Sequence, residues 1–192
     1  KTLQQIYLSE QTEYDESLFF VQFIQQLSYV IEKTDAAIAD LEAKRAQIDE
    51  LNRAREEKLV VVAKERVERN PTDPQLRYEL GAHLFSAGHT REAIPELQRA
   101  KNNPHIRHKA MLMLARCYGA AKMFDLSLAQ LKEAAVEMVI MDTTKKEIVY
   151  EMGLMYDAMG KKEDALDAYK QIYAVDYGYR DVAARVEGAY SS

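Results

Sequence analysis

The sequence predicts an all-α protein in which antiparallel helix pairs repeat along the chain and stack into a solenoid. Three observations predict it. A small residue followed three positions later by Leu or Tyr recurs as Gly81/Leu84, Ala115/Tyr118 and Gly153/Tyr156, at spacings of 34 and 38 residues. Twelve positions after each small residue comes a second one, Ala93, Ser127 and Ala165. The 192 residues include only 7 Gly and 4 Pro. An all-β chain needs turn formers every ~8–12 residues, so this scarcity favours helices.

The periodicity has a physical cause. Two antiparallel helices that cross closely need a small side chain at the crossing, with large ones filling the space beside it. One such pair cannot bury both of its faces, so neighbouring pairs must stack.

In chain order, residues 1–69 are expected to form N-terminal helices. The stretch TEYDESLFFVQFI reads as the second helix of a degenerate repeat, with Ser17 at the small position and TLQQIYLSE as the remnant of its partner. Phe19, Phe20, Phe23 and Ile24 leave that helix little polar face. Thr34 is a candidate N-cap for a second, long and charged helix that runs to residue 69, before Asn70-Pro71. Ile38, Leu41, Ile48, Leu51, Leu59 and Val62 form a narrow apolar stripe along it, with Arg45 and Arg55 near the seam. Such a stripe suits either packing along the solenoid or self-association.

Residues 74–178 divide into three helix pairs, at about 74–107, 108–145 and 146–178. Asp73-Pro74 reads as N-cap followed by Pro at the first helical position. Gly88 and Gly160 mark the turns inside the first and third pairs, where Lys122 stands in the second. Pro95 costs its helix a hydrogen bond and bends it slightly. Four extra residues precede the third pair; they are expected to lengthen the preceding helix through Val139 to Met141. Thr144 and Glu147 then form a capping box. Residues 179–192, with Val182, Val186 and Tyr190 at helical spacing, read as a helix capping the last pair.

Composition excludes several classes of function. A formal net charge of −5 provides no basic footprint for nucleic acid. Cys117 is the only cysteine, which rules out an internal disulfide and a four-cysteine zinc site; it reads as a small buried helix residue. No apolar run reaches the ~18 residues of a membrane span. The chain starts at Lys1 and so reads as a trimmed product; a cytoplasmic location is expected, with export left open. No phosphate loop, GxSxG or HExxH occurs, and His105 and His108 lack a third ligand at metal-binding spacing. The expectation is therefore no enzyme, no cofactor and no metal. All 8 methionines fall between Met111 and Met159, as core packing, an adaptable binding surface or both.

The stretches LRYELGAHLFSAGHTREAIPELQRA, MLMLARCYGAAKMFDLSLAQLKEA and IVYEMGLMYDAMGKKEDALDAYKQIY resemble the tetratricopeptide repeat family, in its generic bacterial form, across residues 74–178. Departures are Arg77, Met111 and Val149 where Trp or Leu is common, and Tyr173 in place of a late Ala. The resemblance implies a right-handed superhelix whose groove, built from the first helix of each pair, binds a protein or peptide. By family register the groove candidates here are Tyr78, Phe85, Lys109, Leu112, Arg116, Tyr150 and Leu154. Tyr78 and Ala82 stand where a carboxylate clamp would need Lys and Asn, so capture of a chaperone tail is not expected. The function implied is a scaffold or adaptor gripping a partner segment. The alternative is an assembly subunit that homodimerises or docks through its N-terminal helices.

Overall fold

A computed structural model describes the backbone of residues 3–190 and the side chains of residues 23–190. The chain divides into two compact units, Lys1–Asn52 and Arg53–Ser192. Every described element is helical.

Helix α1 runs unbroken over Leu3–Arg69. The break expected at Thr34 is absent. Instead, the Thr34 hydroxyl donates back to the carbonyls of Val30 (3.1 Å) and Ile31 (2.8 Å), the usual way a Thr is accommodated inside a helix. No Gly or Pro lies between residues 3 and 69 to interrupt the backbone hydrogen bonds. The side chains of Ser17, Phe19 and Phe20 lie outside the described residues. Side chains 23–52 are all exposed.

In the second unit, residues 53–69 of α1 precede three helix pairs. These are α2 (Pro74–Ser86) with α3 (Thr90–Ala100), α4 (Arg107–Ala120) with α5 (Phe124–Glu137), and α6 (Thr143–Ala158) with α7 (Lys162–Tyr173); α8 (Val182–Tyr190) follows. The end of α1 packs through Val60, Ala63 and Val67 rather than through the Leu59/Val62 row of the sequence stripe, and joins Leu80, Leu84 and Leu97 in one core cluster. Glu56, on that same face, accepts from His83 Nδ1 at 2.8 Å.

Each pair turns in the same way. The amides of His89, Met123 and Lys161 bond the carbonyls of Leu84, Tyr118 and Tyr156, five residues back, at 2.8–2.9 Å. The preceding residue is left-handed in each: Gly88 at φ 92°, Lys122 at φ 60° and Gly160 at φ 73°. This is the helix-terminating arrangement in which a positive φ lets two carbonyls find donors. Its spacing repeats that of the small residues.

The crossings explain those small residues. A Cβ on Gly81 would stand 2.6 Å from Leu97 Cγ, and one on Gly153 would overlap the Tyr169 ring. Ser127, buried against α4, donates its hydroxyl to the Ala115 carbonyl at 2.8 Å.

Two boundary expectations are corrected. Helix α5 ends at Glu137, so the extra residues form an exposed linker instead of extending the helix; Val139 and Ile140 are 94% and 77% exposed. β-Branched residues with no buried face to pack have little reason to stay helical. Helix α6 is capped by Asp142, whose carboxylate accepts the Lys145 amide at 2.8 Å, and not by Thr144. Asp73 does cap α2, accepting from Gln75 at 2.8 Å and Leu76 at 3.4 Å.

Candidate binding cleft

Lys109, Leu112, Met113 and Arg116 fall at i, i+3, i+4 and i+7 of α4 and so share one helix face. Tyr78 reaches the same place from α2, and Thr144 and Glu147 reach it from α6. Together they line a cleft of about 250 Å³. Thus four of the seven groove candidates read from the sequence come together: Tyr78, Lys109, Leu112 and Arg116.

The electrostatics of the cleft turn on Arg116 and Lys109. Arg116 holds Glu147 with Nη2 at 2.7 Å and Glu151 with Nε at 2.8 Å. Burial works against its charge, but the two carboxylates more than offset this and hold the guanidinium above its ordinary value. Arg116 is therefore engaged inside the protein and is not available to an acidic ligand group. Lys109 is exposed, and no ion pair to it occurs among the described residues. It is the cation at the cleft that a ligand can reach. Tyr78 is half-buried, and desolvation raises its phenol above the ordinary value, so it stays neutral.

The other three candidates lie elsewhere. Tyr150 is only 7% exposed. Its hydroxyl donates to Asp181 at 2.6 Å, Arg180 stacks 4.6 Å above its ring and Tyr179 meets it edge-on at 6.0 Å. The segment before α8 thus closes over it, and Arg180 takes a left-handed φ of 49° to do so. Leu154 packs beside the same cluster, while Phe85 packs against the first core cluster with Val60 and Ala63. A register rule counts helix positions and cannot see a covering segment that comes later in the chain.

Solved structures settle the architecture. MamA superposes at a TM-score of 0.59 with 20% identity, over 69% of this chain and 75% of its own. A second MamA structure gives 0.60 at 19% identity, over 76% and 78%. The nearly identical TPR-like repeats of a proposed kinesin light chain from Podosopora anserina give 0.60 at 15% identity, over 76% and 82%. The fold is a tetratricopeptide-type solenoid. No protein-family model matches the chain, and no curated protein matches it by sequence.

Within the tetratricopeptide fold, the cleft combines Tyr78 of the first pair with Lys109, Leu112 and Arg116 of the next. Thr144 and Met113 complete it. Thr144 was read from sequence as a cap; with Asp142 in that role, the Thr144 side chain is left to face the cleft. Two further histidines find structural partners: His89 Nε2 lies 2.8 Å from Glu57 and His108 Nε2 lies 3.1 Å from Glu137. Cys117 is fully buried, and desolvation pushes its thiol up to about 12, so it is chemically inert at neutral pH. Among the described residues, no helix is long and apolar enough to cross a membrane.

Proposed function

We propose that this protein is an interaction module that grips a partner segment in the cleft formed by α2, α4 and α6. One observation carries the reading: residues from three successive first helices converge on a single small cavity bordered by an unpaired Lys109. The half-buried Tyr78 and Met113 suit one apolar or aromatic side chain, while Leu112, 5% exposed, adds little surface of its own. Lys109 suits an acidic group beside it. Arg116, neutralised by Glu147 and Glu151, contributes shape and hydrogen-bond rigidity more than charge.

The test is peptide selection on the intact protein, followed by titration of the enriched peptides. An apolar residue next to an acidic one is the expected motif. Tyr78→Ala with Lys109→Glu should weaken binding at least tenfold, about 1.4 kcal/mol, with helicity unchanged. Aromatic and cationic side chains tend to dominate such contacts. Tyr150→Ala is a poor probe, because Tyr150 is buried under Arg180 and its loss would disturb the core. Selected peptides that bind the double variant as tightly as the parent would refute the cleft as the site.

A second reading, assembly through the N-terminal helix, is favoured by the exposed apolar row on α1 between residues 24 and 51.

A further inference from the structure

The first unit presents a problem of physical chemistry. Its helix keeps Ile24, Leu27, Ile31, Ile38, Leu41 and Ile48 between 46% and 65% exposed. Helices this long owe most of their stability to packing of an apolar face, and residues 23–52 bury none. The row has an order of its own. Residues 24, 27, 31, 34, 38, 41, 45 and 48 alternate spacings of three and four without a break, which is the heptad seam of a coiled coil. Position a holds Ile24, Ile31, Ile38 and Arg45; position d holds Leu27, Thr34, Leu41 and Ile48.

We infer that residues 24–51 pair with the same residues of a second copy of this chain, as a parallel, in-register, two-stranded coiled coil. The inference rests on the assembly reading above and adds partner, strand number and direction.

Side-chain branching argues for two strands: isoleucine at a with leucine at d favours dimers. Direction follows from the flanking columns. Position e holds Ser28, Asp35, Glu42 and Asp49, while position g holds Val30, Ala37, Lys44 and Leu51. In an antiparallel pair e faces e, and acids would meet acids in any register that overlaps most of the row. In a parallel pair g faces the e of the following heptad, which brings Lys44 to Asp49 of the other copy. Lys44 now holds Asp40 at 2.6 Å, an exposed pair that is cheap to exchange. Arg45 is the polar residue at a; a lone one there lowers stability but fixes register and strand number. Glu42 and Asp49, three before and four after it, lie within reach of its charge.

The experiment uses the full chain. Light scattering on the eluting protein should give twice the chain mass, and Ile38→Asp should return it to a monomer with the helical repeats intact. Thr34→Cys, at a polar d position, should oxidise to a covalent dimer, while Lys33→Cys on the outer face should not. The only native thiol, Cys117, is fully buried and will not interfere. Lys44→Glu should weaken dimerisation about twofold to fivefold, the scale of an exposed ion pair, and adding Asp49→Lys should restore it. A parent protein that is monomeric throughout would overturn self-assembly altogether. A dimer that resists Thr34→Cys linkage and is indifferent to the charge exchange would overturn the parallel arrangement while leaving self-assembly standing. A mass of three or more chains would overturn the strand number.

Discussion

Lys122 shows what a single position can reveal. Its turn has the hydrogen bonds of the glycine turns at Gly88 and Gly160, with a left-handed φ of 60°. Only glycine adopts that conformation without a steric penalty of about 1–2 kcal/mol. Glycine costs more backbone entropy, about 0.5–1 kcal/mol, which offsets part of the gain. Lys122 is exposed, and no ion pair to it occurs among the described residues. Lys122→Gly should therefore stabilise the protein by about 0.5–1 kcal/mol, raising Tm by about 1–4 °C in a chain of this size. An unchanged or lower melting temperature would show that the lysine is relaxed there. The sequence already showed that Lys122 occupies a glycine position; only the dihedral angle shows what that means.

Between elements, the crossings decide tolerance to change. At the α2/α3 crossing the neighbour of Gly81 is the fully buried Leu97, through Cγ and Cδ2. At the α6/α7 crossing the neighbour of Gly153 is the Tyr169 ring, which cannot easily move. The Tyr169 hydroxyl donates to Asp157 at 2.8 Å, and Arg185 lies 4.9 Å above its ring. Gly153→Leu should consequently cost at least the ~1–3 kcal/mol typical of overpacking, well beyond Glu163→Ala at the exposed start of α7. Parallel thermal melts would check this. Equal melting of parent and variant would mean that the crossing can open. Linkers behave differently. The Val139–Met141 segment was legible as an insertion but not as a loop, because its residues carry no strong helix breaker before Asp142. What ends α5 is the absence of anything for Val139 and Ile140 to pack against.

Across the molecule, inter-helix ion pairs tie stability to pH. Arg107 grips Glu137 through Nη2 at 2.7 Å and Nε at 2.9 Å, and with help from His108 holds that carboxyl at about 2 in place of 4.5. Asp181 is lowered by its hydrogen bonds from Tyr150 and Arg185, and Glu56 by those from His83 and Arg55. Folded values below unfolded ones mean stability that is present above the ordinary carboxylate range and lost as protons bind to the folded protein. For Glu137 the loss runs from about 4.5 down to about 2. Denaturant midpoints should accordingly change little between pH 7 and 6 and fall steadily between pH 4.5 and 2. Glu137→Gln should start lower at pH 7 and fall less over that interval. A variant with the same acid slope as the parent would assign the loss to other groups.

By itself the sequence determined the repeat. Gly81, Ala115 and Gly153 had to be small wherever helices crossed, and Gly88, Lys122 and Gly160 had to share one turn, because close packing and backbone sterics act locally and leave a period in the chain. The family resemblance implied four residues that the fold brings to one cleft, Tyr78, Lys109, Leu112 and Arg116. Tertiary structure alone decided which of them are paired within the protein and which are left exposed. Arg116 is occupied because Glu147 and Glu151, more than thirty residues away, stack beside it. Tyr150 is closed off because Arg180 and Asp181 fold back over its ring. Such pairings depend on distances across the stack of helices, and no local pattern encodes them.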